Sequence, residues 1–248
     1  GPGTKSVADI LNLSLNTGAT WLLMKMGGSN DTITRQGREV WHEYMAERYM
    51  FGKETDIEQG YEAAGSVPHP NEGYARDLTY ANTAFGQAMT ATPLQMAAAY
   101  SAMLNGGTYY RPQLVDYTVD ADGTKRDKKP EAVRRGVVSP QISEAMQPLL
   151  EYVVNKHSFK VRFDQNSYSV GGKTGTAEIA DPNGGYYEDQ YNGTYVGFVG
   201  GDQPQYVITV LVNRPKIAGY AGSQAAQPIF GDLAHMLLDK FNVTPKVR

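Results

Sequence analysis

Apolar residues recur at helical spacing at Ala19, Leu22, Leu23 and Met26, and Gly27-Gly28 supplies a stop. A second helical run carries Val40, Trp41, Tyr44 and Tyr49 and closes near Gly52. The periodicity then fails. Residues 53–83 are rich in Gly, Pro, Asn and charge, with Val67-Pro68-His69-Pro70 among them, and read as a long irregular connection. Thr92-Pro93-Leu94-Gln95 is a capping box with Pro at the first helical position. The helix behind it is apolar on all sides (Leu94, Met96, Ala97, Ala98, Ala99, Tyr100, Met103, Leu104), which predicts burial, and it stops at Asn105-Gly106-Gly107. Ser139-Pro140 opens a further helix whose stripe is Ile142, Ala145, Met146, Leu149, Leu150, Val153 and Val154.

Residues 114–127 alternate around Asp122-Gly123 and predict a small β-hairpin. Asp120 and Asp122 hint at a calcium loop, but Thr118 and Lys129 would occupy its first and twelfth positions, which favours the hairpin. From residue 168 the pattern turns to strands: Tyr168 to Ile179, Thr194 to Val199 and Tyr206 to Asn213, separated by turns at Asp181–Gly185 and Gly200-Gly201-Asp202. A final amphipathic helix carries Ala225, Ala226, Ile229, Phe230, Leu233, Leu237, Leu238 and Phe241. The order predicts an α+β fold. A helical half (17–50, 93–105, 140–155) should pack on an antiparallel sheet formed after residue 168, with the last helix covering that sheet.

The chain has 248 residues with 23 Lys plus Arg against 26 Asp plus Glu, a formal charge of −3 that lacks the basic footprint of a nucleic-acid binder. With no cysteine, disulfide scaffolds, thiolate metal sites and cysteine nucleophiles are excluded. The four histidines (His42, His69, His157, His235) are scattered and form no triad or metal motif, so neither metal nor cofactor is expected. No stretch reaches the ~18 apolar residues of a membrane span. Gly1-Pro2-Gly3 reads as an engineered junction, leaving residues 4–248 as one domain.

The chemistry concentrates at Gly171-Gly172-Lys173-Thr174-Gly175-Thr176-Ala177. Gly172-Lys173-Thr174 is the tail of a P-loop, but residue 167 is Ser where that motif needs Gly, and the segment stays extended where a helix should follow. Lys173-Thr174-Gly175 is also the Lys-Thr-Gly element of penicillin-recognising serine enzymes. Ser14-Leu15-Asn16, by itself more like a helix cap, matches the Ser-x-Asn element of the same set in the right order. With Phe85–Met96, Asn105-Gly106-Gly107, Arg111-Pro112, Tyr195–Gly200 and Val207–Val212, the chain resembles the transpeptidase domain of penicillin-binding proteins over most of its length. Ala177 after Lys-Thr-Gly-Thr resembles the class B, monofunctional, pattern.

The resemblance implies that a serine attacks the D-Ala–D-Ala bond of a peptidoglycan stem peptide and that a neighbouring amine resolves the acyl-enzyme. β-Lactams would enter as mimics of that terminus. It also implies site roles: Ser14 relays protons, Asn16 binds the substrate amide, and Lys173 supplies positive charge. Gly175 would let the substrate backbone approach. Thr174 and Thr176 would hold its carboxylate, with the Thr176 N–H in an oxyanion hole. Strand alternation, however, puts Lys173 on the face opposite the two threonines. One pocket serving all three requires an edge strand.

The family's nucleophile lies in Ser-x-x-Lys upstream of Ser-x-Asn, and none of the eleven serines here has Lys three residues later; Ser158-Phe159-Lys160 has the wrong spacing. The expectation is therefore an N-terminally truncated domain, inactive alone and forming no lasting acyl-enzyme. Apolar surface meant for the missing strands and helix should be exposed or covered by another chain. The parent is expected at the outer face of the cell membrane, its anchor outside this chain, working with other cell-wall synthesis proteins. The alternative is a non-catalytic pseudo-transpeptidase that scaffolds such partners.

Overall fold

The computed structural model describes residues 3–73, 76–217 and 219–247. Helices α1 (Val7–Asn12), α2 (Asn16–Met26) and α3 (Arg35–His42) open the chain, and α3 runs directly into a π-helical turn, Glu43–Arg48. A loop follows that contains one short helix, α4 (Arg76–Thr83). This corrects the irregular reading of 53–83: Tyr80 of α4 is buried against Leu23 and Ile33, so tertiary burial supplies what the weak local pattern lacks. The capping box of α5 (Pro93–Leu104) forms as expected: Gln95 N donates to Thr92 Oγ1 at 3.1 Å, and the Gln95 carbonyl accepts from Thr92 N at 2.8 Å. Strand β1 (Thr108–Tyr110) precedes the Asp122-Gly123 hairpin of β2 (Tyr117–Val119) and β3 (Lys125–Asp127), and β4 (Ala132–Arg135) returns to pair with β1. The hairpin accounts for its aspartates: Asp120 pairs with Arg126, and Asp122 accepts from Thr124 N at 2.9 Å.

Helix α6 (Pro140–Lys156), capped by Ser139, leads into the main sheet. Strands β5 (Ser169–Ala180), β6 (Tyr186–Gly200) and β7 (Pro204–Asn213) form an antiparallel meander in the order β5-β6-β7. β5 and β7 are therefore edge strands among the described residues. A second π-helical turn (Gly222–Ala226) enters α7 (Gln227–Lys240).

The two faces of the sheet bury different partners, as period-two alternation requires. On one, Tyr195, Val199 and Ile208 pack against Phe230 and Ala234 of the C-terminal helix, and the Tyr195 and Phe230 rings stack at 4.3 Å. On the other, Phe198 meets Leu104 of α5 and Leu150 of α6, with Leu11 of α1 alongside. Glycine makes the first approach possible: a Cβ on Gly197 would lie 2.6 Å from the Phe230 ring. The helical half, the sheet and the covering C-terminal helix are arranged as the pattern predicted.

Candidate active site

Ser14 sits in the joint between α1 and α2, and it is not a helix N-cap. Leu15 N donates to Ile10 O at 3.0 Å and Ser14 N to Leu11 O at 3.3 Å, the paired bonds of a Schellman ending. Ser14 holds the left-handed position of that motif, φ 51°, where glycine is the usual residue. Leu11, three residues earlier, is anchored in the core between α6 and the sheet. That anchor delivers the Ser14 hydroxyl to β5, where the Lys173 ammonium donates to Ser14 Oγ across 159 positions of sequence. A backbone strained into a glycine conformation by a serine whose hydroxyl is engaged is a pattern typical of functional sites.

The edge position of β5 resolves the alternation problem. Lys173 pairs in register with Val196 and Thr174 with Tyr195, so their side chains do leave on opposite faces. The Lys173 chain turns back over the strand's open edge, and its ammonium donates to Thr174 O at 2.8 Å and to Thr174 Oγ1 at 3.3 Å. One cation thus bridges Ser14 and Thr174. Burial lowers the Lys173 pKa from 10.5 to about 8, so at neutral pH it is mainly protonated with a small neutral fraction. His157, at the end of α6, is held below its ordinary pKa by burial and by repulsion from Lys173, which keeps it neutral.

Thr176 is fixed differently. Gly222 N, at the start of the second π turn, donates to Thr176 Oγ1 at 3.0 Å. Both threonine hydroxyls therefore accept from a donor on the protein and keep their own protons free to donate. The Thr174 hydroxyl, beside the Lys173 ammonium, and the Thr176 hydroxyl, two residues along the same strand face, are both able to donate to an anion. Nothing in the sequence spacing pointed to Gly222; its closeness is legible only in three dimensions, where a Cβ on it would lie 2.3 Å from Gly175 O. Gly175 itself is required inside the sheet: a Cβ there would lie 2.3 Å from Thr194 Oγ1.

Asn16 is the first residue of α2 and is exposed, two positions from Ser14. Leu15 leaves that helix end without a side-chain cap. Asn16 lines a cavity of about 430 Å³ along α2. A larger cavity, about 800 Å³, is lined by Tyr44, Arg48, Arg135 and Ser139 and touches none of the residues above. The sequence-predicted residues Ser14, Lys173, Thr174 and Thr176 are thus brought to one strand edge, with Asn16 on the neighbouring helix start.

The sequence model of the penicillin binding protein transpeptidase domain matches residues 1–235. The chain belongs to that family. It is similar to Stage V sporulation protein D of Bacillus subtilis, 32% identical over 247 residues that cover 99% of this chain and 36% of the relative. It is also similar to penicillin-binding protein PbpB of Mycolicibacterium smegmatis, 32% identical over 219 residues covering 84% of this chain and 33% of that protein. These relatives are class B penicillin-binding proteins, in line with the reading of Ala177. The chain spans about a third of their length. Among solved structures, penicillin-binding protein 3 of Mycobacterium tuberculosis, crystallised with aztreonam, superposes with a TM-score of 0.79 at 27% identity, over 97% of this chain and 52% of that one. The α+β arrangement is that of the penicillin-recognising fold.

Proposed function

We propose that this domain is the D-Ala–D-Ala recognition part of a peptidoglycan D,D-transpeptidase. The observation that carries the reading is the Lys173 ammonium shared between Ser14 Oγ and Thr174 at the open edge of β5. In this reading the terminal carboxylate of the stem peptide takes the free protons of the Thr174 and Thr176 hydroxyls, with Lys173 supplying charge. The substrate backbone lies along the β5 edge as an added strand, and Asn16 binds its amide. Ser14, hydrogen-bonded to a lysine of lowered pKa, passes a proton to or from the reacting serine. That serine is not among these 248 residues, since none stands three before a lysine. β-Lactams, which carry a carboxylate beside a strained amide, occupy the same place.

The parent protein is placed at the outer face of the cell membrane with other cell-wall synthesis proteins; no helix among the described residues is long and apolar enough to cross a membrane. The test uses a fluorescent penicillin. Fluorescence polarisation should show reversible binding that an acyl-D-Ala–D-Ala peptide displaces, while intact-mass analysis shows no covalent adduct. A stoichiometric adduct mapped to Ser14 would contradict its relay role, and the absence of any binding would overturn the reading.

A further inference from the structure

The larger cavity, of about 800 Å³, lies at the opposite end of α6 from the β5 edge. The helix begins at the cavity with Ser139 and Pro140 and ends at His157, which is close enough to Lys173 to feel its charge. Its 17 residues span about 25 Å, so the cavity is a site of its own. Tyr44 and Arg48 reach it from the first π-helical turn, where Tyr49 N donates to Tyr44 O at 2.8 Å and the two tyrosine rings lie 6.5 Å apart. Such turns are frequent at functional sites. The Arg48 guanidinium lies 4.2 Å from the centre of the Tyr44 ring. Its Nε and Nη2 donate to one oxygen of Glu43, at 2.9 and 2.7 Å, which leaves Nη1 without a partner among the described residues. Arg135, at the end of β4, is exposed and has no ion pair or side-chain hydrogen bond among the described residues.

No carboxylate among the described residues lines this cavity, and burial pushes the Tyr49 phenol up to about 12, so it stays neutral. In a chain of net charge −3 the cavity is a local concentration of positive charge. Two guanidinium groups with planar donor forks suit an oxyanion. The volume falls in the range of roughly 300–1,000 Å³ that holds small organic ligands, well above what a bare anion fills. Val138, Ile142 and the tyrosine rings supply apolar wall for the remainder. We propose that this cavity binds an organic phosphate, with its phosphoryl group on Arg135 and Arg48 and its ring or hydrocarbon body on Tyr44, Val138 and Ile142. A phosphoryl group carries close to two charges and three exposed oxygens, which matches two cations better than a carboxylate does. The inference is independent of the D-Ala–D-Ala reading.

Phenyl phosphate, inorganic phosphate and benzoate, each titrated into the isotope-labelled chain at about 0.15 M salt, separate the possibilities. Phenyl phosphate should shift the backbone NMR signals of Tyr44, Gly136 and Ile142. It should bind about fivefold more tightly than inorganic phosphate, through its ring, and about fivefold more tightly than benzoate, through its second charge. Arg135→Gln should weaken phenyl phosphate about tenfold. Arg134→Gln removes the same charge one residue earlier, outside the cavity wall, and should change the affinity less than about twofold. Equal losses in the two variants would reduce the effect to the field of the surface and overturn the site. Inorganic phosphate or benzoate binding as tightly as phenyl phosphate overturns the assignment of the ligand. Shifts that avoid these residues, or no binding to the unaltered chain, overturn the proposal outright.

Discussion

The two halves of strand β5 differ although the same sheet carries both. At Val170-Gly171-Gly172 every residue is buried, and the glycines exist to admit rings: a Cβ on Gly171 would lie 2.3 Å from Phe198, and one on Gly172 would lie 2.4 Å from Tyr195. From Lys173 to Thr176 the strand emerges, and its groups are held by polar contacts from outside the sheet, Ser14 on one side and Gly222 on the other. The closed half is optimised for packing. The open half holds a desolvated ammonium and lies against a strained serine of the α1–α2 joint, both of which cost stability. Where a strand spends stability in this way, the chemistry is the reason to look for.

The largest expected effect lies in the closed half. Gly171→Ala should lower unfolding free energy by about 2–3 kcal/mol, because the methyl meets Phe198 and Leu150 in a packed core. Chemical denaturation measures this, and a near-neutral result would mean that the two halves do not differ as described. The second effect concerns Lys173. Its folded pKa of about 8 lies below the unfolded 10.5, so between those values the folded chain has lost a proton that the unfolded chain keeps. Stability should therefore rise as pH increases from about 8 to 10.5, by roughly 2 kcal/mol, and Lys173→Met should lack that rise. Parallel denaturation series of the two chains isolate the term; identical pH profiles would remove the desolvated ammonium from the account.

The smallest effect has the most informative sign. Ser14→Gly should raise stability by about 0.5–1 kcal/mol by relieving the left-handed backbone, while weakening D-Ala–D-Ala binding through loss of the hydroxyl that Lys173 holds. A variant that is less stable would show that the serine is there for the fold.

The particular elements explain how far the sequence could be read. Helix α5 was legible because its signals are local: Thr92, Pro93 and Gln95 cap it, and its apolar run demands burial. The strands after 168 were legible from their composition and turns, with β6 beginning earlier than its apolar stretch, at Tyr186. Helix α4 was not, because Tyr80 is stabilised by Leu23 and Ile33 from far along the chain. Helix α1 had a capping box in Ser6 and Asp9 but too few residues to show a period. In the site, Lys173, Thr174 and Thr176 stood out by motif, and Ser14 only through its partnership with them. That one lysine serves both strand faces depends on β5 lying at the sheet edge, and that Thr176 is held depends on Gly222 of the π turn, neither of which leaves a mark in local sequence.

The central claim is that the Lys173–Thr174–Thr176 edge binds a terminal carboxylate, and a matched pair of peptides tests it most directly. Acyl-D-Ala–D-Ala as free acid and as terminal amide should be titrated into isotope-labelled protein, with the backbone signals of residues 173–176 followed by NMR. The account predicts that the acid shifts those signals and binds at least about tenfold more tightly than the amide, as loss of a charge-assisted contact implies. The advantage should fade as pH rises above about 8 and Lys173 loses its proton. Equal affinity of acid and amide, or shifts confined to residues away from this edge, would contradict it.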